Sequence, residues 1–198
     1  MSKNYDKSLS MILIGNTSVG KTCLTKRYTE NAFSENLLTT VGVELFKKII
    51  EIDKLKYEIK IWDSCGQERL HSITFNYYKN ADGILLVYDL NDHDTFSTLQ
   101  RWLDSINEIC DIDIPVVIVG NKMDLERKVE KSEIDAFYSK TKIKMFECSC
   151  KTGEKTTEPF DELIRKIIVY KIDHGVEGFN LNKNKILKQS NEDKKKCC

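Results

Sequence analysis

Short apolar runs recur along the chain and predict buried strands. Met11–Ile14, Ile84–Tyr88 and Val116–Val119 are continuous runs of apolar residues. Strands that are buried on both faces of a parallel sheet have this pattern. Lys142–Phe146 is a weaker candidate for a last strand.

Two longer segments alternate between apolar and polar residues. They are Val43–Ile52 and Lys56–Trp62, and the break between them falls at Asp53 and Lys54. Both segments contain β-branched residues, and a short polar break between two such segments is typical of a hairpin. The sequence therefore predicts an antiparallel pair of strands here.

Apolar residues at spacings of three and four predict helices between the strands. One helix is predicted by Phe96, Leu99, Leu103, Ile106 and Cys110, and another by Phe160, Leu163, Ile164, Ile167 and Ile168. Asp92 or Asp94 could cap the first of them. This alternation of strands and helices predicts an α/β domain in which helices cover both faces of a sheet.

Composition narrows the functional classes. The formal net charge of the 198 residues is zero, so no bulk field favours a nucleic-acid partner. No run approaches the roughly 18 apolar residues of a membrane span, and the first ten residues lack the apolar core of a signal peptide. We therefore expect a cytosolic protein. The seven cysteines are irregularly spaced, which argues against a disulfide framework and against a zinc site at Cys148 and Cys150.

The chain divides into three parts by composition. Residues 1–8 are predicted to be an N-terminal extension, residues 9–174 the folded domain, and residues 175–198 a flexible tail. The tail is polar, rich in Asn and Lys, and has no apolar period. Such a segment cannot bury enough surface to offset the entropy lost on ordering.

The strongest chemical motif is a phosphate-binding loop. Residues 15–22 read GNTSVGKT, which fits G-x-x-x-x-G-K-[ST] between a predicted strand and a predicted helix. The glycines allow several N–H groups to point inward, and the helix N-terminus adds positive charge. We expect Lys21 to reach the β- and γ-phosphates and the Thr22 hydroxyl to bind Mg²⁺. Alone, the motif indicates only a nucleoside triphosphate.

A second motif points to guanine. Residues 121–124 read NKMD after an apolar run. The Asp124 carboxylate could accept hydrogen bonds from both N1–H and the 2-amino group of guanine, whereas adenine would leave it unpaired. Asn121 could either join two loops or meet the purine, and the stem of Lys122 could cover a ring face. Backbone amides of residues 147–151 could meet the guanine O6.

These motifs together resemble the Ras superfamily, and within it the Rab family. The resemblance depends on the order of GNTSVGKT, Thr40, DSCGQ at residues 63–67, NKMD and Ser149-Cys150-Lys151. TVGVEL at residues 40–45, KIWD at 60–63, YYKNA at 77–81 and the terminal Cys-Cys resemble Rab stretches. The resemblance implies a P-loop small GTPase fold, with a six-stranded, mostly parallel sheet that has one antiparallel edge strand.

The resemblance also implies the site residues. Gln67 would orient the attacking water, and Mg²⁺ would be held by Thr22, Thr40 and Asp63. GTP or GDP would be bound by Ser18, Val19, Gly20, Lys21, Thr22, Cys23, Phe33, Thr40, Gly66, Asn121, Lys122, Asp124, Ser149, Cys150 and Lys151. Hydrolysis would be slow, and it would release both switch loops from the γ-phosphate.

Some residues depart from the family pattern. Ser64 and Cys65 stand where Thr-Ala is usual, and Leu37 stands where a tyrosine is common. These changes put switch geometry and nucleotide exchange in question. An alternative hypothesis is therefore a switch that is governed by exchange, with little useful hydrolysis. A nucleotide kinase is a third hypothesis, although no Arg-rich lid is evident and Asp124 argues for guanine.

The resemblance further implies partners. Leu45, Trp62 and Tyr77 match an effector-binding aromatic patch, although half-buried packing alone would also explain them. An exchange factor, a GTPase-activating protein, an escort or GDI-type chaperone and effectors are expected, with a monomeric G domain. Two geranylgeranyl groups on Cys197 and Cys198 would anchor the chain to the cytoplasmic face of endomembranes, next to a cytosolic pool.

Overall fold

One six-stranded sheet organises the chain. The computed structural model describes residues 4–34, 40, 42–65, 77, 79–110 and 114–179. The strands lie in the order β2-β3-β1-β4-β5-β6, and only the pair β2–β3 is antiparallel. Their bounds are β1 Lys7–Ile14, β2 Val43–Ile52, β3 Leu55–Ser64, β4 Gly83–Asp89, β5 Val116–Asn121 and β6 Met145–Glu147. The predicted fold class is confirmed.

The described helices connect the strands. They are α1 Lys21–Glu30, α2 His93–Ser97, α3 Leu99–Ile109, α4 Lys131–Thr141 and α5 Glu158–Asp173. The helix predicted from the apolar spacing after Phe96 is therefore two helices that meet at Thr98. The Thr98 hydroxyl donates to Thr95 O at 2.9 Å, a back-bond that bends helices. Asp92 caps α2 by accepting from Asp94 N at 3.1 Å.

The predicted hairpin is confirmed, and the last strand differs from the prediction. Asp53 and Lys54 both have positive φ, 49° and 66°, as a two-residue turn of type I′ requires. Strand β6 begins at Met145, three residues later than predicted. Lys142 instead ends α4 in the left-handed region, and its N–H donates to Tyr138 O at 2.8 Å.

Two apolar clusters cover the two faces of the sheet. Alternate residues of β1 enter opposite clusters: Leu13 packs with α1 and α5, and Ile12 packs with α2, α3 and α4. In the first cluster the rings of Tyr28 and Phe160 stack with centroids 3.9 Å apart. The helices of both layers are therefore fixed against the sheet by side chains that the strand period of two distributes.

The packed chain extends past both expected domain boundaries. Strand β1 begins at Lys7 rather than at residue 9. After α5, turns at residues 174–178 return Phe179 to the first cluster, where it is 8% exposed. The ammonium groups of Lys7 and Lys171 lie 4.6 and 5.3 Å from its ring centroid. One aromatic residue in a polar stretch produces no period, so the sequence pattern did not reveal this contact.

Within the described ranges, every helix is too short or too polar to cross a bilayer.

We expect Phe160→Ala to lower the free energy of unfolding by about 3–5 kcal/mol, because the ring is fully buried and stacked on Tyr28. Urea denaturation followed by circular dichroism measures the change. Tyr138→Ala is the control, since Tyr138 is 48% exposed and its loss should change stability by less than about 0.5 kcal/mol. Equal losses in the two variants would contradict the packing described here.

Candidate functional site

The candidate site residues lie at the carboxyl ends of the parallel strands. The loop of residues 15–20 follows β1, Asp63 lies near the end of β3, Asn121 ends β5, and residues 148–151 follow β6. In open α/β sheets, ligands bind at the carboxyl ends of the strands. The topology therefore brings together motifs that are more than a hundred residues apart in sequence.

Two glycines allow the loop after β1 to approach its neighbours closely. A Cβ on Gly15 would lie 2.0 Å from Val87 O, and a Cβ on Gly20 would lie 2.3 Å from Asn121 Nδ2. Both have positive φ, 132° and 95°, which side chains rarely adopt. The loop can therefore take this shape only with glycine at these two positions.

Lys21 is the buried cation of the loop. Its Nζ donates to Gly15 O at 2.8 Å and to Asn16 O at 2.7 Å. Burial lowers the pKa of Lys21 to about 8, while the nearby Asp63 carboxylate opposes that shift. The ammonium group is thus fixed beneath the loop at the N-terminus of α1, where two sources of positive charge coincide.

Asn16 is a loop residue that the sequence analysis missed. Its Oδ1 accepts a hydrogen bond from Trp102 Nε1 at 2.8 Å and lies 3.0 Å from Thr98 Oγ1, whose one proton it shares with Thr95 O. These bonds attach the loop to the start of α3. No local pattern could have revealed them, because the partners lie more than eighty residues away.

Three oxygen ligands converge beside Lys21. Thr22 Oγ1 lies 2.5 Å from Asp63 Oδ2 and 2.8 Å from Thr40 Oγ1. Among the described residues, Asp63 Oδ1 has no hydrogen-bond partner although it is buried. Burial raises the pKa of Asp63 to about 6, and the Thr22 hydrogen bond and the Lys21 charge oppose the shift. Hard oxygen ligands around an unsatisfied carboxylate fit Mg²⁺.

The Asn121 side chain joins the loop after β1 to the loop after β6. Its Nδ2 donates to Val19 O at 2.9 Å, and its Oδ1 accepts from Cys150 N at 3.1 Å. The side chain is buried. Of the two roles left open by the sequence, this geometry matches the joining of loops.

Asp124, in the loop after β5, and Ser149, in the loop after β6, form a polar pair. Ser149 Oγ donates to Asp124 Oδ1 at 2.5 Å and accepts from Thr152 N at 3.1 Å. Lys122 has a positive φ of 65°, and its Nζ lies 2.6 Å from Asp89 Oδ2. That ion pair fixes the end of the Lys122 side chain, so its aliphatic stem lies along the cavity wall.

A cavity of about 390 Å³ connects these groups. Its walls include most of the predicted nucleotide-binding residues: Ser18, Gly20, Lys21, Thr22, Cys23, Phe33, Thr40, Asn121, Lys122, Asp124, Cys150 and Lys151. Val19 is buried in the core beneath the loop, and Ser149 contacts the cavity wall through Asp124. Gly66 and Gln67 lie outside the described residues.

Ser64 and Cys65, two of the residues that depart from the family pattern, make different contacts. Ser64 Oγ donates to Leu13 O at 2.8 Å, which attaches β3 to β1. Cys65 is buried in the cavity wall, and its N–H donates to Gly42 O at 3.1 Å. The third departure, Leu37, lies outside the described residues.

The predicted partner patch is contiguous. Leu45 pairs with Trp62 across β2 and β3, and the rings of Trp62 and Tyr77 lie 4.8 Å apart. Leu45 is 38% exposed, whereas Trp62 and Tyr77 are partly buried against the second cluster. The patch therefore combines packing with exposed apolar surface. The tail cysteines Cys197 and Cys198 lie outside the described residues.

Comparison with known proteins agrees with this geometry. The Ras family model matches residues 10–169. The chain is 37% identical to Ras-related protein Rab-13 from Bos taurus over 171 residues, which cover 85% of this chain and 84% of the relative. It is 34% identical to GTP-binding protein ypt2 from Schizosaccharomyces pombe, with coverage of 99% and 98%. Identity to Ras-related protein SEC4 from Saccharomyces cerevisiae is 36%, with coverage of 99% and 94%.

Proposed function

The chain belongs to the Ras family and is a Rab-like small GTPase of vesicle trafficking, and from this premise we propose how its own residues bind and hydrolyse GTP. The proposal depends on one observation. The Lys21 ammonium group, the oxygens of Thr22 and Thr40, and the Asp124 carboxylate line a single cavity. A guanine nucleotide would place its phosphates at the end of the cavity lined by Lys21, Thr22 and Thr40, and its base at the end lined by Asp124.

The phosphate end binds by preorganised charge. The backbone amides of residues 18–23 and the start of α1 would face the α- and β-phosphates, and Lys21 would reach the β- and γ-phosphates. Mg²⁺ would be held by Thr22 and Thr40 and, through water, by Asp63, and when bound it would neutralise phosphate charge. Gly66 would offer its N–H to the γ-phosphate. Because Lys21, Thr22 and Thr40 already converge on one side of the cavity, little reorganisation of these side chains is needed during reaction.

The base end selects guanine. The Asp124 carboxylate would accept from N1–H and the 2-amino group, and Ser149 would hold it in that orientation. Phe33 and the Lys122 stem would cover the ring, and the Lys151 amide would donate to O6, because the Cys150 amide already donates to Asn121. Adenine has the opposite pattern at positions 1 and 6, so it would leave both protein groups unpaired.

Hydrolysis acts as a timer for the switch. Gln67 would orient the water that attacks the γ-phosphorus, and the released phosphate would no longer hold the loops that contain Thr40 and Gly66. In the patch, Leu45 and Trp62 lie between these loops in sequence and Tyr77 follows the second loop, so an effector that binds the patch would sense the nucleotide. An exchange factor and a GTPase-activating protein would set the timing, and a GDI-type chaperone would carry the lipid-bearing chain.

We also propose a domain arrangement. Residues 9–174 would form the G domain, extended by the contacts of Lys7 and Phe179, and the remaining tail would carry prenyl groups on Cys197 and Cys198. Two lipids together anchor stably, and residues 194–196 add positive charge toward anionic headgroups. The domain would then act at the cytoplasmic face of endomembranes.

We expect the purified protein with Mg²⁺ to bind GDP in preference to ADP, and Asp124→Asn to weaken GDP binding by at least about a hundredfold. An amide at this position lacks the charge of the carboxylate and can accept only through one atom. Competition against a fluorescent guanine nucleotide measures both values. Asp104→Asn is the control, because Asp104 lies on the exposed face of α3. Displacement of bound GDP by equimolar ADP would contradict the proposal.

Gln67→Leu should lower the single-turnover rate of GTP hydrolysis by about tenfold or more, because leucine cannot position a water by hydrogen bonding. GDP affinity should be unchanged, which separates a defect in hydrolysis from a defect in binding. If the hydrolysis rate is the same as in the wild type, Gln67 has no catalytic role and the exchange-governed hypothesis gains support.

Replacing both Cys197 and Cys198 by Ser should move the protein from the membrane fraction to the soluble fraction of cells. Single replacements should give intermediate distributions, since one lipid anchors only marginally. Fractionation with immunoblotting measures the distribution. The anchor proposal fails if the double variant remains with membranes.

A further inference from the structure

Arg27 joins three segments around the base end of the cavity. It lies in α1, six residues after Lys21. Its Nε donates to Cys150 O at 3.0 Å, its Nη2 donates to Lys151 O at 3.1 Å, and its Nη1 donates to Asn31 O at 3.1 Å. The guanidinium carbon also lies 5.8 Å from the ring centroid of Phe33, within the range of a cation–π contact.

These bonds fix two consecutive peptide planes. In a trans peptide the C=O and the following N–H point in opposite directions. Because Cys150 O faces Arg27, the Lys151 N–H points away from Arg27. Because Lys151 O also faces Arg27, the Thr152 N–H points away as well, and it donates to Ser149 Oγ at 3.1 Å.

The second peptide plane, between Lys151 and Thr152, is connected by hydrogen bonds to Asp124, the predicted acceptor for guanine. Ser149 Oγ, which receives the Thr152 N–H, donates in turn to Asp124 Oδ1 at 2.5 Å. One guanidinium group therefore sets the direction of the Lys151 amide and, through two hydrogen bonds, the position of the Asp124 carboxylate. Arg27 does not line the cavity itself, whereas Phe33, Asp124 and Lys151 do.

We propose that Arg27 is a positioning residue for guanine, which holds the base-binding loop and Phe33 against the helix that carries Lys21 and Thr22. The inference rests on the function proposed above. Its physical basis is the planar fork of the guanidinium group, which donates to three carbonyls in fixed directions. A lysine at this position would keep the charge and the aliphatic stem but lose that geometry.

The test compares the dissociation of GDP and of 6-thioguanosine diphosphate from the full chain with Mg²⁺. We expect GDP to leave Arg27→Lys about tenfold faster than it leaves the wild type, and to leave Arg27→Ala faster still. Sulfur accepts hydrogen bonds weakly, so the thio nucleotide has less contact with the Lys151 amide to lose. The acceleration should therefore be smaller for the thio nucleotide than for GDP.

Arg165→Ala is the matched control. Arg165 lies on α5, pairs with Glu162 at 3.5 Å and does not line the cavity, so its removal should leave both dissociation rates unchanged. Arg27→Lys decides the question if Arg27→Ala does not fold. Unchanged GDP dissociation in Arg27→Lys overturns the inference. Equal acceleration for both nucleotides also overturns it, because a general structural brace would have that effect.

The outcomes separate this inference from the proposed function. A wild-type protein that binds ADP as well as GDP would overturn the proposed function and this inference together. Normal guanine preference in the wild type, with no base-dependent effect of the Arg27 variants, would overturn this inference alone.

Discussion

The site depends on the hydrogen bonds of the buried Asn121 side chain. One amide group binds the backbone of the phosphate loop at Val19 and the backbone of the base loop at Cys150. The distance between these two loops must match the length of a nucleotide, and a buried amide that is hydrogen-bonded through both its oxygen and its nitrogen keeps that distance nearly constant. Gly20 makes the contact possible, because any side chain there would collide with Asn121.

Much of the fold could be predicted from local patterns. The strands are continuous or alternating apolar runs, and each pattern has a direct physical cause in burial on one face or on two. The phosphate loop could be located because glycine, lysine and threonine have fixed tasks at fixed spacing. Thr22, Thr40 and Asp63 were assigned together only by resemblance, and the structure brings their oxygens within hydrogen-bonding distance.

The remaining features depend on long-range contacts that leave no local pattern. The bonds from Thr98 and Trp102 to Asn16 anchor the phosphate loop, yet each residue alone looks like an ordinary helix residue. Arg27 looks like a solvated charge on an amphipathic helix until its carbonyl partners, more than 120 residues later, are known. Phe179 is one aromatic residue in a polar stretch, and its burial depends on the first apolar cluster and on Lys7 and Lys171, all distant in sequence or outside its own segment.

The burial of Phe179 fixes where on the domain the described part of the chain ends. Its ring lies beside Lys7, at the beginning of β1, whereas the phosphate loop follows the other end of the same strand. Phe179 and the phosphate loop therefore lie toward opposite ends of the sheet. A partner that binds beside Phe179 would leave the mouth of the cavity uncovered.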